Sequence, residues 1–357
     1  MSGKSLSLRR RLALEVWRQM EKKRVQEHTL RQLFWECTLR CNLNCRHCGS
    51  DCRASSSQRD MPLEDFLKVL DQISPHVQPH SVFVVITGGE PLMRTDLEQC
   101  GRAIYERGFA WGMVTNGLAM TPKRYRALRA AGMHTATVSL DGLCEEHNFM
   151  RGNKQSYTRA IDALRMMGAD EGFVFDVVTC VNSRNIRQLD EIKEVLVEIG
   201  VTRWRLFTIF PSGRAATDDS LQLSAEEFRF LMDYIKTNRA NETRIRLSYG
   251  CEGFLGNYEG DVRDHFFACN AGVSVGSVLA DGAISACSSI RANYHQGNIY
   301  QDDFWEVWQT KFEKYRNRDW MRTDKCATCS VFRYCQGNGM HLRDDDGRLM
   351  LCHMDRL

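Results

Sequence analysis

From residue 30 onward, short apolar runs alternate with stretches whose apolar positions recur every three or four residues. The runs at 33–36, 82–87, 110–115, 134–140, 173–181 and 204–210 read as strands buried on both faces. Helical periodicity covers 96–107, 121–131, 157–167 and 186–199, and a further helix opens near Pro62 and Leu63. Six strand-then-helix units in series imply parallel strands joined by crossovers, an α/β fold in the form of a partial (β/α)6 TIM-type barrel. Ahead of it, residues 4–27 predict a basic amphipathic helix with Leu12, Leu14, Val16, Trp17 and Met20 as apolar contacts. That helix is expected to cover the bottom of the barrel; docking to an acidic peptide or an anionic membrane surface is the alternative. After about residue 250, Gly and Cys become frequent and helical periodicity fades, leaving 304–315 as the one clear helix. The chain thus divides into an N-terminal helix (1–28), a core (29–245) and an irregular, Cys-rich C-terminal region (246–357) held together by metal.

In barrels of this kind the loops after the strands' C-terminal ends carry the chemistry. Cys41–Cys48 follow the first strand, Gly88-Gly89-Glu90-Pro91 the second and Thr115-Asn116-Gly117 the third. Ser139-Leu140-Asp141-Gly142 end the fourth, and Pro211-Ser212-Gly213-Arg214 follow the sixth.

Composition narrows the classes. The chain has 357 residues, 43% hydrophobic and 26% charged, as an ordinary globular protein does. A formal charge of +3 gives no reason to expect nucleic-acid binding. No run of about 18 apolar residues predicts a transmembrane helix. Arg9, Arg10 and Arg11 precede a stretch that is too short and too polar for an export signal, so a cytoplasmic location is expected. Fifteen cysteines change the picture most. In a reducing compartment they argue for metal or redox chemistry rather than disulfides. Five lie within 37–52 and seven within 251–352, which makes two metal regions.

Cys41, Cys45 and Cys48 have the spacing C-x3-C-x2-C. Three thiolates on one loop can bind three irons of a [4Fe–4S] cube and leave the fourth open to a ligand. A structural zinc site is the alternative. Cys37 and Cys52 flank the loop; a fourth thiolate would close the open iron, so both are read as packed or free thiols. The glycines of Gly88-Gly89-Glu90-Pro91 permit close backbone approach, and Glu90 can accept hydrogen bonds from a ligand amine.

Together the cysteine loop, the GGEP turn and the aromatic His47 before the last cysteine resemble the radical S-adenosylmethionine (SAM) superfamily. The resemblance implies that SAM chelates the open iron and is cleaved reductively to a 5′-deoxyadenosyl radical, which abstracts a substrate hydrogen. It also implies that Gly88, Gly89 and Glu90 hold the SAM amino group, that Ser139 and Arg151 contact its ribose and carboxylate, and that Asn116 shares the same rim.

In the tail, Cys269-x12-Gly282-x4-Cys287 is followed by Cys326-x2-Cys329-x5-Cys335 and then Cys352. This order resembles the SPASM domain, which holds auxiliary [4Fe–4S] clusters; Gly339 stands where that pattern has a further cysteine. By the resemblance, Cys326, Cys329, Cys335 and Cys352 ligate one auxiliary cluster, and Cys269 and Cys287 bind the other with Cys251 as third ligand. The cluster short of a ligand at Gly339 either keeps an open iron or takes His341, for which a hydrogen-bonded structural role is the alternative. Zinc ribbons are the competing reading of this region. Cys100, Cys144 and Cys180 read as core thiols, and Trp305 and Trp308 as core. Ser288 after Cys287 leaves no acidic base of the sulfatase-maturase kind beside that ligand.

The expectation is a radical SAM/SPASM enzyme that modifies a peptide or protein side chain, with a flavodoxin- or ferredoxin-type electron donor. The run 33–52 is most similar to a subgroup paired with small lipoprotein partners. A radical SAM oxidoreductase acting on a small molecule such as a tetrapyrrole is the rival enzyme, and a non-catalytic iron–sulfur electron carrier the rival from another class.

Overall fold

Each apolar run becomes a strand, and the strands lie side by side in chain order. The computed structural model describes residues 6–357. In it β1 (Gln32–Thr38), β2 (Phe83–Gly88), β3 (Ala110–Thr115), β4 (Met133–Ser139), β5 (Val174–Val181) and β6 (Arg203–Thr208) pair successively and in parallel. A short β7 (Arg246–Tyr249) adds to β6. The two end strands of the sheet do not meet, so the barrel stays open.

The helices are α1 (Leu8–Glu27), α2 (Leu63–Ile73), α3 (Leu97–Glu106), α4 (Pro122–Ala130), α5 (Cys144–Arg151), α6 (Ser156–Gly168), α7 (Leu189–Ile199), α8 (Ala225–Asn241) and α9 (Phe304–Thr310). They dress the outside because their apolar residues fall on one stripe. In α2, Leu63, Phe66, Val69, Leu70 and Ile73 are the buried positions, and Phe66 stacks on Trp35 of β1 at 4.4 Å between ring centroids. Two helices fall outside the expected set, α5 and α8. The second is announced by a capping box in which Ser224 and Glu227 hold each other's backbone.

Two expectations need correction. The tail is not irregular throughout. Its β8 (Val275–Val278) pairs in parallel with β1, and β9 (Ala283–Ser285) and β10 (Gly297–Asn298) continue the sheet antiparallel. The helix expected over 304–315 is broken into α9 and a single turn at Glu313–Arg316.

The N-terminal helix, expected over 4–27, begins outside the described residues, and its described part packs on the tail instead of across the barrel bottom. Leu14 joins Phe254, Phe267, Val331 and Met354 in a small core. Trp17 donates its indole N–H to the Phe267 carbonyl at 3.2 Å, and Arg10 pairs with Asp261 at 3.0 Å. The lower lumen of the barrel remains a cavity of about 670 Å³ where Arg205 bonds Asp176 and Thr137. Among the described residues no helix is long and apolar enough to cross a membrane.

Candidate functional site

The site begins where β1 ends. After Thr38 the chain turns into the cysteine loop, which is tied at three places. The Cys41 N–H donates to the Arg53 carbonyl at 2.7 Å, and the Arg46 N–H to the Met150 carbonyl at 2.9 Å. From the other side of the rim, Arg214 donates to the Cys45 carbonyl at 2.7 Å and pairs with Asp51 at 2.6 Å.

The glycine turn after β2 is zipped directly onto this stem. Gly89 N–H bonds the Thr38 carbonyl at 2.8 Å and Glu90 N–H the Arg40 carbonyl at 2.9 Å. A Cβ on Gly88 would come within 2.1 Å of the Thr38 carbonyl oxygen, and one on Gly89 within 2.3 Å of that of Arg40. The glycines are therefore needed first for backbone-on-backbone packing, not only for approach to a ligand. Glu90 is also engaged within the protein. Its carboxylate is buried and accepts from Leu92 N–H (3.1 Å), Thr115 Oγ1 (2.8 Å) and Asn116 N–H (2.7 Å). Burial raises its pKa in spite of these donors. It is an internal brace that fixes the β2 turn to the end of β3, with only the remaining lone pairs left for a ligand. Asn116 in turn donates to Asn42 at 2.8 Å and approaches Cys41 Sγ at 3.9 Å.

Cys41, Cys45, Cys48, Gly88, Gly89, Glu90, Asn116, Ser139 and Arg151 all line one cavity of about 130 Å³. Burial pushes the Cys41 thiol up to about 12 and also raises Cys45. Cys52 lines the same cavity, and its hydrogen bond to Cys48 draws the Cys48 thiol down to about 5. The buried Cys41 and Cys45 thiols become thiolates only beside a strong cation, which is what an iron cluster provides. Among the described residues, the ligand atoms that all lie within 4.8 Å of one another are those of His47, Asp141 and Cys180. The Cys41 trio is spaced more widely, whereas a single zinc ion needs sulfurs about 3.8 Å apart. The residues fit a cube with one free corner better than a lone ion.

Beneath the loop lies a polar layer that sequence reasoning left without a role. Asp141 is fully buried and its Oδ2 lies 2.7 Å from Arg151 Nη2 and 3.3 Å from His47 Nε2. Arg151 also reaches Cys45 Sγ at 3.6 Å. Burial depresses His47 to about 4, so the ring is neutral. Arg151, expected at a ligand carboxylate, thus has its guanidinium committed to Asp141 and to a cysteine of the loop. Cys180, read as a core thiol, lies against this layer. The signal was Asp141 itself, a carboxylate in the loop just after β4.

The tail cysteines form two sets. Cys335 feels Cys352, Cys326 and Cys329, which add to the rise that burial gives its thiol. Cys251 is accessible yet surrounded by protein, as on the wall of a concavity. Burial, with the charges of Cys287 and Cys269, pushes it up to about 12. Cys269 accepts a hydrogen bond from the Met340 backbone, and Arg318 helps hold its thiol below the usual value against burial. His341 packs edge-on to Phe210 at 5.0 Å, and burial lowers its pKa to about 4.

Residues 35–196 match the family described as the radical SAM superfamily, and residues 269–330 match SPASM, described as an iron–sulfur cluster-binding domain. The chain is 32% identical over 319 residues to the mycofactocin maturase MftC of Mycolicibacterium smegmatis, covering 86% of this chain and 77% of that one. It is 26% identical over 325 residues to the AdoMet-dependent heme synthase of Methanosarcina barkeri, covering 86% and 90%. Among solved structures, anSMEcpe with bound AdoMet and a peptide superposes with a TM-score of 0.70 at 18% identity, over 92% of this chain and 94% of that one. Streptococcus suis SuiB bound to its precursor peptide SuiA gives 0.69 at 17%, over 89% and 74%.

Proposed function

The chain belongs to the radical SAM superfamily and carries a C-terminal SPASM domain, and from that premise we propose that it modifies a peptide or protein side chain after hydrogen abstraction. It is an enzyme of a family whose cofactors are [4Fe–4S] clusters and SAM. Bound together, these supply a carbon-centred radical able to take a hydrogen atom from an unactivated C–H bond.

The chain's own residues hold and orient. Cys41, Cys45 and Cys48 are the ligands of the SAM-binding cluster. Gly88 and Gly89 present backbone to the SAM amino group while Glu90 keeps that turn rigid against Asn116. Ser139 lies on the wall where a ribose would rest. Arg151 and Asp141 stiffen the loop that would hold the cluster from below. In the tail, Cys326, Cys329, Cys335 and Cys352 hold one auxiliary cluster, and Cys251, Cys269 and Cys287 the other.

The observation that carries the peptide reading is the relationship across 86% of this chain to a protein named as a maturase. The fold is also one seen elsewhere with peptides bound. A tetrapyrrole is the second reading, favoured by the match over 90% of a heme synthase's length. We further place the enzyme in the cytoplasm, where its thiols stay reduced and a flavodoxin or ferredoxin supplies electrons.

Anaerobic reconstitution with SAM and dithionite tests the enzyme. 5′-Deoxyadenosine should accumulate, and its absence would remove the catalytic reading in favour of a plain electron carrier. Titration with iron coproporphyrin then separates the substrates. A saturable shift of its Soret band with turnover favours the tetrapyrrole, and no shift favours the peptide.

A further inference from the structure

Gly339 stands at the position where the SPASM pattern has a cysteine, and the structure shows what occupies its space. A Cβ built on Gly339 would lie 2.7 Å from Cε1 and 3.0 Å from Nδ1 of His341. The imidazole edge therefore occupies the space that a side chain at 339 would enter. The glycine has φ −66° and ψ 141°, ordinary extended geometry, so its own dihedrals do not call for glycine; what crowds a side chain there is the His341 ring and the Glu252 carbonyl oxygen.

Two contacts bring this edge to the three-cysteine set. The same Cβ position lies 2.7 Å from the carbonyl oxygen of Glu252, the residue after Cys251. The Met340 backbone, between Gly339 and His341, hydrogen-bonds the Cys269 sulfur. His341 therefore follows immediately on a residue that touches one cysteine of the set, and its ring edges the loop that carries another. Its recorded ring neighbour is apolar, the edge of Phe210, and among the described residues neither ring nitrogen is hydrogen-bonded. A half-buried imidazole with no hydrogen-bond partner, beside a three-thiolate set that lacks its fourth member, has the chemistry of a ligand.

We propose that His341 is the fourth protein ligand of the auxiliary cluster held by Cys251, Cys269 and Cys287. This deepens, and rests on, the reading that the tail cysteines bind clusters. The imidazole would replace an anionic thiolate by a neutral donor, which raises a cluster's reduction potential. Phe210 joins this corner to the first cluster loop, since its ring lies 3.4 Å from a Cβ built on Gly49, the neighbour of Cys48. His341 and the first cysteine loop thus share one aromatic neighbour.

The test uses reduced, reconstituted holoenzyme without SAM, prepared from cells fed 15N-histidine or unlabelled histidine. A Cys41→Ala/Cys45→Ala/Cys48→Ala variant removes the first cluster and with it any signal from His47. Pulsed EPR of that variant should show a directly coordinated nitrogen that changes from 14N to 15N with the label. His341→Ala should lose the coupling. His341→Cys should keep the cluster and lower its midpoint potential relative to the parent. Iron analysis separates the two levels of the argument. Iron of about eight per chain in the triple variant, with no histidine nitrogen coupled, overturns the ligand but keeps the tail clusters. Iron of about four or less overturns the reading that the tail holds two clusters, and the ligand with it. The labelled parent spectrum decides even if His341→Ala does not fold.

Discussion

Asp141 and Arg151 meet at 2.7 Å beneath the cysteine loop, with the carboxylate fully buried. The pair joins the end of β4 to the last turn of α5, and Arg151 passes the constraint on to Cys45. Asp141→Asn keeps the shape but leaves a buried guanidinium uncompensated. Loss of one partner of such a pair costs about 3–5 kcal/mol. Urea unfolding of the cluster-free protein should show a loss of that order, and iron retention after reconstitution should fall. An unchanged midpoint would show that the pair is not holding the loop.

The same pair sets part of the response to acid. Burial works most strongly against ionised Asp141, but Arg151, His47, His147 and the Cys180 N–H together outweigh it and hold the folded-state pKa below the ordinary carboxylate value. A depressed folded pKa gives stability that is fully present above the unfolded value, about 3.9, and is lost as pH falls through the folded one. Between pH 5 and 3 the wild type should therefore lose stability more steeply than Asp141→Asn. Parallel acid limbs in thermal melts would rule this out.

Gly89→Ala drives a methyl toward the Arg40 carbonyl, 2.3 Å from the ideal Cβ position. Backbone cannot swing aside as a side-chain tip can, so the turn must lift off the cysteine stem. SAM affinity of the reconstituted enzyme, measured by equilibrium dialysis, should fall at least about tenfold, the equivalent of 1.4 kcal/mol. Gly172→Ala is the control. It has φ +87° but nothing within 4 Å, so it carries conformational strain without a clash and should leave SAM binding intact.

Leu14→Ala tests where α1 belongs. Leu14 is 2% exposed and shares its cluster with Leu6 and the tail residues Phe254, Phe267, Val331 and Met354, so truncation should cost about 2–4 kcal/mol locally. Hydrogen exchange should speed up around 254–267 and 331–354 while β2 to β6 stay protected. Equal loss in the barrel strands would place the helix's role elsewhere.

The barrel was legible because β2 reads as an unbroken apolar run, as Val84, Val85 and Ile86 do, and β5 and β6 alternate buried with less buried positions. The strands β8 to β10 were not, since two to four residues carry too little periodicity to register. The helix α8 passed unnoticed although Ser224 and Glu227 announce it; its exposed Phe230 blurs the apolar stripe. At the site, the ligating residue types could be read from spacing. The brace could not: Glu90 gives its oxygens to Leu92, Thr115 and Asn116, and those partners are set by how β2 and β3 lie together. His341 shows the same limit, because only three-dimensional structure reveals that its ring fills the space beside Gly339.

The strand that carries the first cysteine loop is flanked on one side by β2 and on the other by β8 of the tail, with Gln32 opposite both Phe83 and Val275. Core and tail are therefore one continuous hydrogen-bonded ribbon, not two bodies on a hinge. An electron leaving the tail would cross a gap held by this shared sheet and not varied by hinge swinging. Its hopping rate should accordingly stay nearly constant from turnover to turnover, like current through a soldered joint and unlike a switch.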